Sequence, residues 1–305
     1  MKTAFLFPGQ GAQTIGMGQD LYNNIDIYKQ TFDICVKGSE IDLKAACFEG
    51  WRMDESEVVQ PAIFAHSISL FNCLRAEGAA AEVYAGLSLG EYSALCAAGA
   101  FGVGQCAALV RKRGRIMDEA FPKGEGGMLS VIGFGVDEVE KELEGFTGAY
   151  VANHLSELQT AVSGYMRDLV KLRERFDSKG AKMTSMLSVS GPFHSPLLRG
   201  AADEFLGVLR GEGIAEPDGT VYSNVLGAPY EKGSDMRELL AEQMCSRVRW
   251  HDCTEHMIAS GVRRFVEIGP SNVLSKMLKR RVEKGVIVES IRDLDGLKNY
   301  LETAR

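Results

Sequence analysis

Apolar runs along this chain are short, and they break on glycine and proline. Thr3–Phe7 is the first. It stops at Pro8-Gly9 and predicts a buried strand, followed by the loop Pro8-Gly9-Gln10-Gly11-Ala12-Gln13. Asp20 to about Val36 reads as a helix. Pro61 suits a first helical position and predicts a long helix to about Arg75, closed by Gly78. Glu82–Leu87 predicts a strand, Ser88 a turn, and Glu91–Ala98 a helix. Val103–Ala120 predicts another helix, stopped by Phe121-Pro122. Strands and helices that alternate in this way imply an α/β core with mostly parallel strands.

The rhythm changes between about Gly124 and Gly191. Met128–Phe134 reads as a strand and Val136–Leu143 as a helix. Tyr150–Asn153 and Thr160–Ser163 read as two short strands, Tyr165–Ser178 as a helix and Lys182–Leu187 as a strand. The order β-α-β-β-α-β is that of a ferredoxin-like unit. Alternating features then resume: helices at Pro196–Leu209, Asp235–Cys245, Arg249–Ser260 and Asn272–Arg281, with strands at Thr220–Asn224 and Arg264–Ile268. The expected fold is therefore α/β. A large α/β-hydrolase-like core with a parallel sheet spans 1–123 and 193–305, and a ferredoxin-like small domain is inserted at 124–192.

Composition narrows the class. The 305 residues are 45% hydrophobic and 25% charged, enough for a large core. A net charge of −7 argues against a broad nucleic-acid surface. The seven cysteines are scattered, with no Cys-x-x-Cys pair, which fits reduced cytosolic thiols and offers no zinc framework. The chain shows no secretory leader and no uninterrupted apolar run near 18 residues. A cytoplasmic protein without membrane contact is expected, with a monomer as the default.

The candidate chemistry begins at Gly86-Leu87-Ser88-Leu89-Gly90, between a predicted strand and a predicted helix. That is the frame of a nucleophile elbow, in which a sharp turn lifts a serine hydroxyl above the sheet. The bland reading is a tight turn with an N-capping serine. A serine nucleophile needs a base, and there are five histidines. His66 falls inside a long helix and reads as structural. His251 and His256 share a helix without sharing a face, and His154 falls in a short inter-strand loop. His194, in Ser190-Gly191-Pro192-Phe193-His194-Ser195-Pro196, lies where the small domain returns the chain to the core. It would be either a base at the mouth of an interdomain cleft or a residue that packs at a helix start. No aspartate is placed as a third member, so a backbone carbonyl would have to fix the histidine tautomer; the Gly269-Pro270 turn is one candidate. Arg111, Lys112, Arg113 and Arg115 cluster in one apolar helix. Most would be solvated, and one could turn inward to hold a carboxylate, although periodicity does not say which. The Pro8–Gln13 loop lacks the Gly-Lys-Ser/Thr ending of a phosphate loop.

Taken together, these segments resemble the malonyl-coenzyme A:acyl carrier protein transacylase family over essentially the whole chain. The matching motifs are Phe7–Gln13, Gln60-Pro61-Ala62, Gly86–Leu95, Lys112-Arg113-Gly114, Gly191–Ser195 and Val266–Pro270. The resemblance implies Ser88 as nucleophile and His194 as general base and acid. It implies the backbone amides of Gln10 and Leu89 as the oxyanion hole. Arg113 would pair with the malonyl carboxylate, Met117 would line the acyl pocket, and Phe193 would crowd an α-methyl branch. Gln159 and Asn224 would be polar residues near the site, and the histidine would lean on a carbonyl near Gly269-Pro270. Malonyl-coenzyme A and acyl carrier protein would be the partners, with no metal or redox cofactor. A carrier-facing basic rim would draw on Lys182, Arg280, Arg281 and the Arg111–Arg115 helix. Two departures from the family pattern are Leu87, where many members have histidine, and the stretch Asn153–Gln159, which lacks the usual proline-type turn. The rival readings are an acyl-thioester hydrolase on the same fold, an acyltransferase serving a polyketide pathway, and a non-catalytic carrier-protein scaffold.

Overall fold

The computed structural model of the chain describes residues 1–303. Its strands in chain order are β1 (Thr3–Phe7), β2 (Val83–Gly86), β3 (Gly126–Ile132), β4 (Ala149–Ser156), β5 (Gln159–Tyr165), β6 (Met183–Met186), β7 (Thr220–Ser223), β8 (Ala228–Pro229), β9 (Arg264–Ile268) and β10 (Ile287–Ile291). They form two sheets. The larger has the order β10-β9-β1-β2-β7-β8. Its first five strands are parallel, and β8 closes one edge antiparallel to β7. Central β1 is buried at every residue, as a parallel strand covered on both faces must be. Phe5 and Phe7 face the helix Ser56–Ala76, where each meets the Phe71 ring edge-on. Ala4 and Leu6 face the opposite layer with Trp250, Met257 and Leu274.

The second sheet has the order β4-β5-β3-β6 and is antiparallel throughout. Helices Val136–Leu143 and Met166–Ser178 pack on it through Val139, Leu169, Leu172 and Phe176, giving the expected ferredoxin-like arrangement. Two backbone bonds tie this sheet to the core: His154 N donates to Val248 O at 2.9 Å, and Val248 N to Ala152 O at 2.8 Å.

Several elements differ from their sequence reading. The long helix begins at Ser56, one turn and more before Pro61. Val58 and Val59 are fully buried, and their packing outweighs the bond that the proline cannot donate. The first helical stretch is two helices, Gln19–Asn24 and Asp26–Ser39, broken at Ile25 by an extended backbone. The stretch from Pro196 opens with a 3₁₀ turn before the helix Arg199–Arg210. His154 lies in β4 rather than in a loop, because β4 and β5 pair almost to the hairpin tip. Strands β8 and β10 and the helix Leu294–Thr303 lie outside any predicted element.

Candidate active site

Strand β2 ends at Gly86, the helix Leu89–Ala97 starts three residues later, and Ser88 joins them with φ 52° and ψ −103°. A side chain is rarely held in that region, so the surroundings must enforce it. They do so by close approach. A Cβ on Gly86 would strike the Gly90 carbonyl, and one on Gly90 would strike the Phe7 carbonyl. Asn224, fully buried after β7, holds both sides of the turn. Its Oδ1 accepts from the Ser88 amide at 2.6 Å, and its Nδ2 donates to Gly86 O at 2.7 Å. Asn224 thus braces the elbow with its whole amide.

His194 reaches the serine from 106 positions further along the chain. Its Nε2 lies 2.8 Å from Ser88 Oγ, and its Nδ1 lies 2.7 Å from the backbone oxygen of Gln243. A carbonyl only accepts, so Nδ1 carries the proton and Nε2 is free to take one from the hydroxyl. The carbonyl that fixes the tautomer is therefore that of Gln243, not one at the Gly269-Pro270 turn, which packs against Pro8 and Ser67. The helix expected over Asp235–Cys245 stops at Glu242. That early end exposes the carbonyls of Gln243 and Met244, and the second accepts the His194 amide at 3.0 Å. Burial, with Arg113 adding to it, pushes the imidazole down to about 3 against the partial offset of the Gln243 carbonyl. The ring is accordingly neutral at neutral pH.

Arg113 is the member of its basic cluster that turns inward, being 1% exposed. Its Nη1 donates to Gln60 Oε1 at 2.8 Å. Its Nη2 donates to Gln243 Oε1 at 2.8 Å and to Ser88 Oγ at 3.1 Å. The Tyr92 ring lies 5.2 Å from the guanidinium carbon. Every hydrogen-bond partner is neutral, and Nε has none. A buried cation so placed is short of an anion. Arg111, by contrast, pairs with Glu40 and Glu57 on the outside, and Lys112 lies 3.9 Å from Glu212. Arg281 of the expected rim is likewise engaged, with Glu255 and His251.

The other predicted residues fall at graded distances from this centre. Met117 is buried, and its sulfur accepts from Gln60 Nε2 at 3.5 Å. Gln60 also reaches Gln10 Oε1 at 3.4 Å, which sets the Gln10 loop beside the arginine. Among the described residues, neither the Gln10 nor the Leu89 backbone N–H donates to a protein acceptor, while the Gln10 side-chain amide donates to Ser56 Oγ at 3.2 Å. Phe193 is buried directly before the base, and its carbonyl accepts from Ser163 Oγ on β5. Gln159 opens β5 opposite Ser156 and Ile132, and no side-chain bond joins it to Ser88, His194 or Arg113.

Four side chains that hold the site together, Gln243, Glu91, Gln60 and Tyr230, carried no assigned role in the sequence reading. Gln243 Nε2 donates to Ser88 O at 3.1 Å and to Glu91 Oε2 at 2.5 Å. Glu91, one turn after the serine, also accepts from the Asn224 amide at 3.1 Å and from the Tyr230 hydroxyl. Gln60 and Glu91 sit inside motifs that were visible, and Gln60-Pro61 was the signal for one of them. Nothing local marks Gln243 or Tyr230. Among the described residues, no group of three or more His, Cys, Asp or Glu side chains is arranged to hold a metal ion.

What holds these atoms is the scaffold of a serine-dependent acyl-group enzyme. The family model described as "Acyl transferase domain" matches residues 4–301. The malonyl CoA-acyl carrier protein transacylase of Bacillus subtilis (strain 168) is 36% identical over 313 residues, covering 100% of this chain and 98% of its own. A crystal structure of malonyl CoA-acyl carrier protein transacylase from Clostridium perfringens superposes with a TM-score of 0.94 at 35% identity, over 100% of this chain and 98% of that one. A malonyl-transacylase solved in complex with its type II PKS acyl-carrier protein gives 0.93 at 31% identity, over 99% of this chain and 100% of that one. The chain belongs to the acyl transferase family, among the malonyl-CoA–acyl carrier protein transacylases.

Proposed function

We propose that Ser88 and His194 carry the acyl transfer and that Arg113 selects the acyl group. The chain is an [acyl-carrier-protein] S-malonyltransferase: it moves malonyl from coenzyme A to acyl carrier protein through a serine ester. In the first half-reaction His194 Nε2 takes the Ser88 proton as Oγ attacks the thioester carbonyl. The amides of Gln10 and Leu89 receive the oxyanion, and their freedom from other acceptors supports that role. The proton passes to the departing sulfur, and coenzyme A leaves as a thiol. In the second half-reaction the carrier's phosphopantetheine thiol gives its proton to His194 and attacks the ester. Ser88 is restored, and malonyl leaves on the carrier.

Arg113 selects malonyl because no anion touches its buried guanidinium, and a second carboxylate can do so with bidentate geometry. Phe193 crowds any α-methyl branch, and Met117 lines the acyl pocket. Asn224 acts through the elbow backbone rather than on the substrate, and Gln159 serves the approach to the cleft rather than its floor. The seven cysteines are free and buried, which supports a reducing, cytoplasmic setting. None of the described helices is long and apolar enough to cross a membrane.

The observation that carries this reading is the continuous contact from Gln243 O through His194 to Ser88 Oγ and on to Arg113. Mixing the protein with malonyl-coenzyme A and recording its intact mass tests it. One malonyl adduct is expected on the native chain and none on Ser88→Ala. An adduct that survives the substitution removes Ser88 as nucleophile.

A further inference from the structure

Behind the reacting atoms lies a buried ion pair whose members do not touch. Glu91 is fully buried and Arg113 is 1% exposed. Among the described residues, the hydrogen-bond partners of both are neutral groups. The Gln243 amide stands between them, accepting from Arg113 with Oε1 and donating to Glu91 with Nε2. With Glu91 ionised the cluster is close to neutral: one cation and one anion joined by a neutral dipole. That balance ends when malonyl arrives. Its free carboxylate becomes a second anion facing the same guanidinium. A buried pocket with an uncompensated charge is costly, and a titratable group inside it relieves the cost by changing protonation.

We propose that Glu91 is the resting counter-charge of Arg113 and takes up a proton when Ser88 is malonylated. The inference rests on the functional reading above, since it needs malonyl at Arg113. Glu91 already leans that way. Burial lifts its carboxyl to about 7, against the bonds from Tyr230, Gln243 and the Asn224 amide and the charge of Arg113, all of which favour the ionised form. The other titratable groups that face this cluster are His194, Tyr92, Tyr230 and Cys253. Burial and the Arg113 charge hold His194 neutral, and burial pushes the other three upward, so all four stay neutral near pH 7. Once the malonyl carboxylate engages Arg113, the guanidinium's hold on the Glu91 charge weakens and protonation follows. Oε1 can take the proton, with the Tyr230 hydroxyl turning to accept it. Oε2 keeps its bonds to Gln243 and Asn224, so the tautomer of His194 and the elbow stay set.

The proton count isolates the effect. Acylation itself is neutral, because the Ser88 proton leaves on the coenzyme A sulfur. Any uptake in the burst therefore belongs to the protein. By linkage, acylation by malonyl should weaken about tenfold per pH unit above the resting titration of Glu91, whereas acylation by acetyl should show no such slope. The test mixes enzyme with one equivalent of malonyl-coenzyme A in weakly buffered indicator near pH 8, with the adduct counted by mass in the same sample. Uptake approaching one proton per malonyl-serine is expected. Glu91→Gln should form the adduct without uptake. Adduct without uptake in the native enzyme, or full uptake in Glu91→Gln, overturns the proposal. A native enzyme that forms no adduct sinks the functional reading instead. Should Glu91→Gln fail to fold, Tyr230→Phe removes a bond that favours the ionised form. Its uptake profile should then move to higher pH, and an unmoved profile also overturns the proposal.

Discussion

At the scale of single residues, the site is a problem of where charge is allowed. His194 is kept neutral by burial and by the nearby Arg113 cation, so it is ready to accept a proton without first losing one. Arg113 is buried with no anion in direct contact, so a carboxylate brought by the substrate would be the first to touch it. Arg113→Ala should lower kcat/KM for malonyl-coenzyme A by about 10²-fold or more, the scale for removing one partner of a buried charge pair. Acetyl turnover should fall far less. Competition between the two thioesters for transfer to carrier protein checks this, and equal losses would deny Arg113 its selecting role. Ser88 was legible in the chain because its glycine-flanked turn sits between a strand and a helix. The residues alone left His194 open and did not single out Arg113 from its cluster; the family resemblance supplied both. Gln243 was not legible. It works partly through a main-chain oxygen, which any residue could supply, and its side chain gains meaning only from partners 130 and 155 positions away. Glu91 lay inside the Gly86–Leu95 motif without a role of its own, and its complete burial is what places it in the site.

At the scale of elements, what matters is where helices and strands stop. The helix Met236–Glu242 ends early enough to present two carbonyls to the His194 segment, and β2 ends on a glycine so that the following helix can press against β1. Gly90→Ala would force a methyl onto the Phe7 carbonyl. Overpacking of that kind costs about 1–3 kcal/mol. Thermal melting should show the loss, and acylation of Ser88 should slow as the elbow shifts; an unchanged melt with full activity would contradict the close packing. Element types were well signalled by apolar runs and by glycine and proline. Element ends were less so, since packing decides them. Val58 and Val59 extend a helix backward past a proline because the core has room for them, and β10 pairs beside β9 although its own run is interrupted by charge. The ferredoxin-like insert was the most legible unit, because its strand and helix order is local.

At the scale of the whole molecule, the Ser88–His194 contact is assembled from two sheets. Ser88 belongs to the parallel sheet. His194 follows the last strand of the antiparallel one, and Ser163 on β5 bonds the carbonyl of Phe193 just before it. Ser163→Ala would leave that buried carbonyl without its donor, at a cost of about 1–3 kcal/mol. It should also loosen Phe193 and so narrow the preference for malonyl over methylmalonyl. Paired assays with the two thioesters, read beside a melting curve, decide the point: destabilisation with the preference intact would show that Ser163 matters for folding alone.

The adjacency of Phe193 and His194 has a practical corollary for anyone wishing to retune this catalyst. The side chain that would screen branched extender units and the ring that would shuttle the proton share one peptide linkage. Transplanting a foreign hexapeptide there to broaden the product range would also re-aim the base, unless the hairpin beneath travels with it.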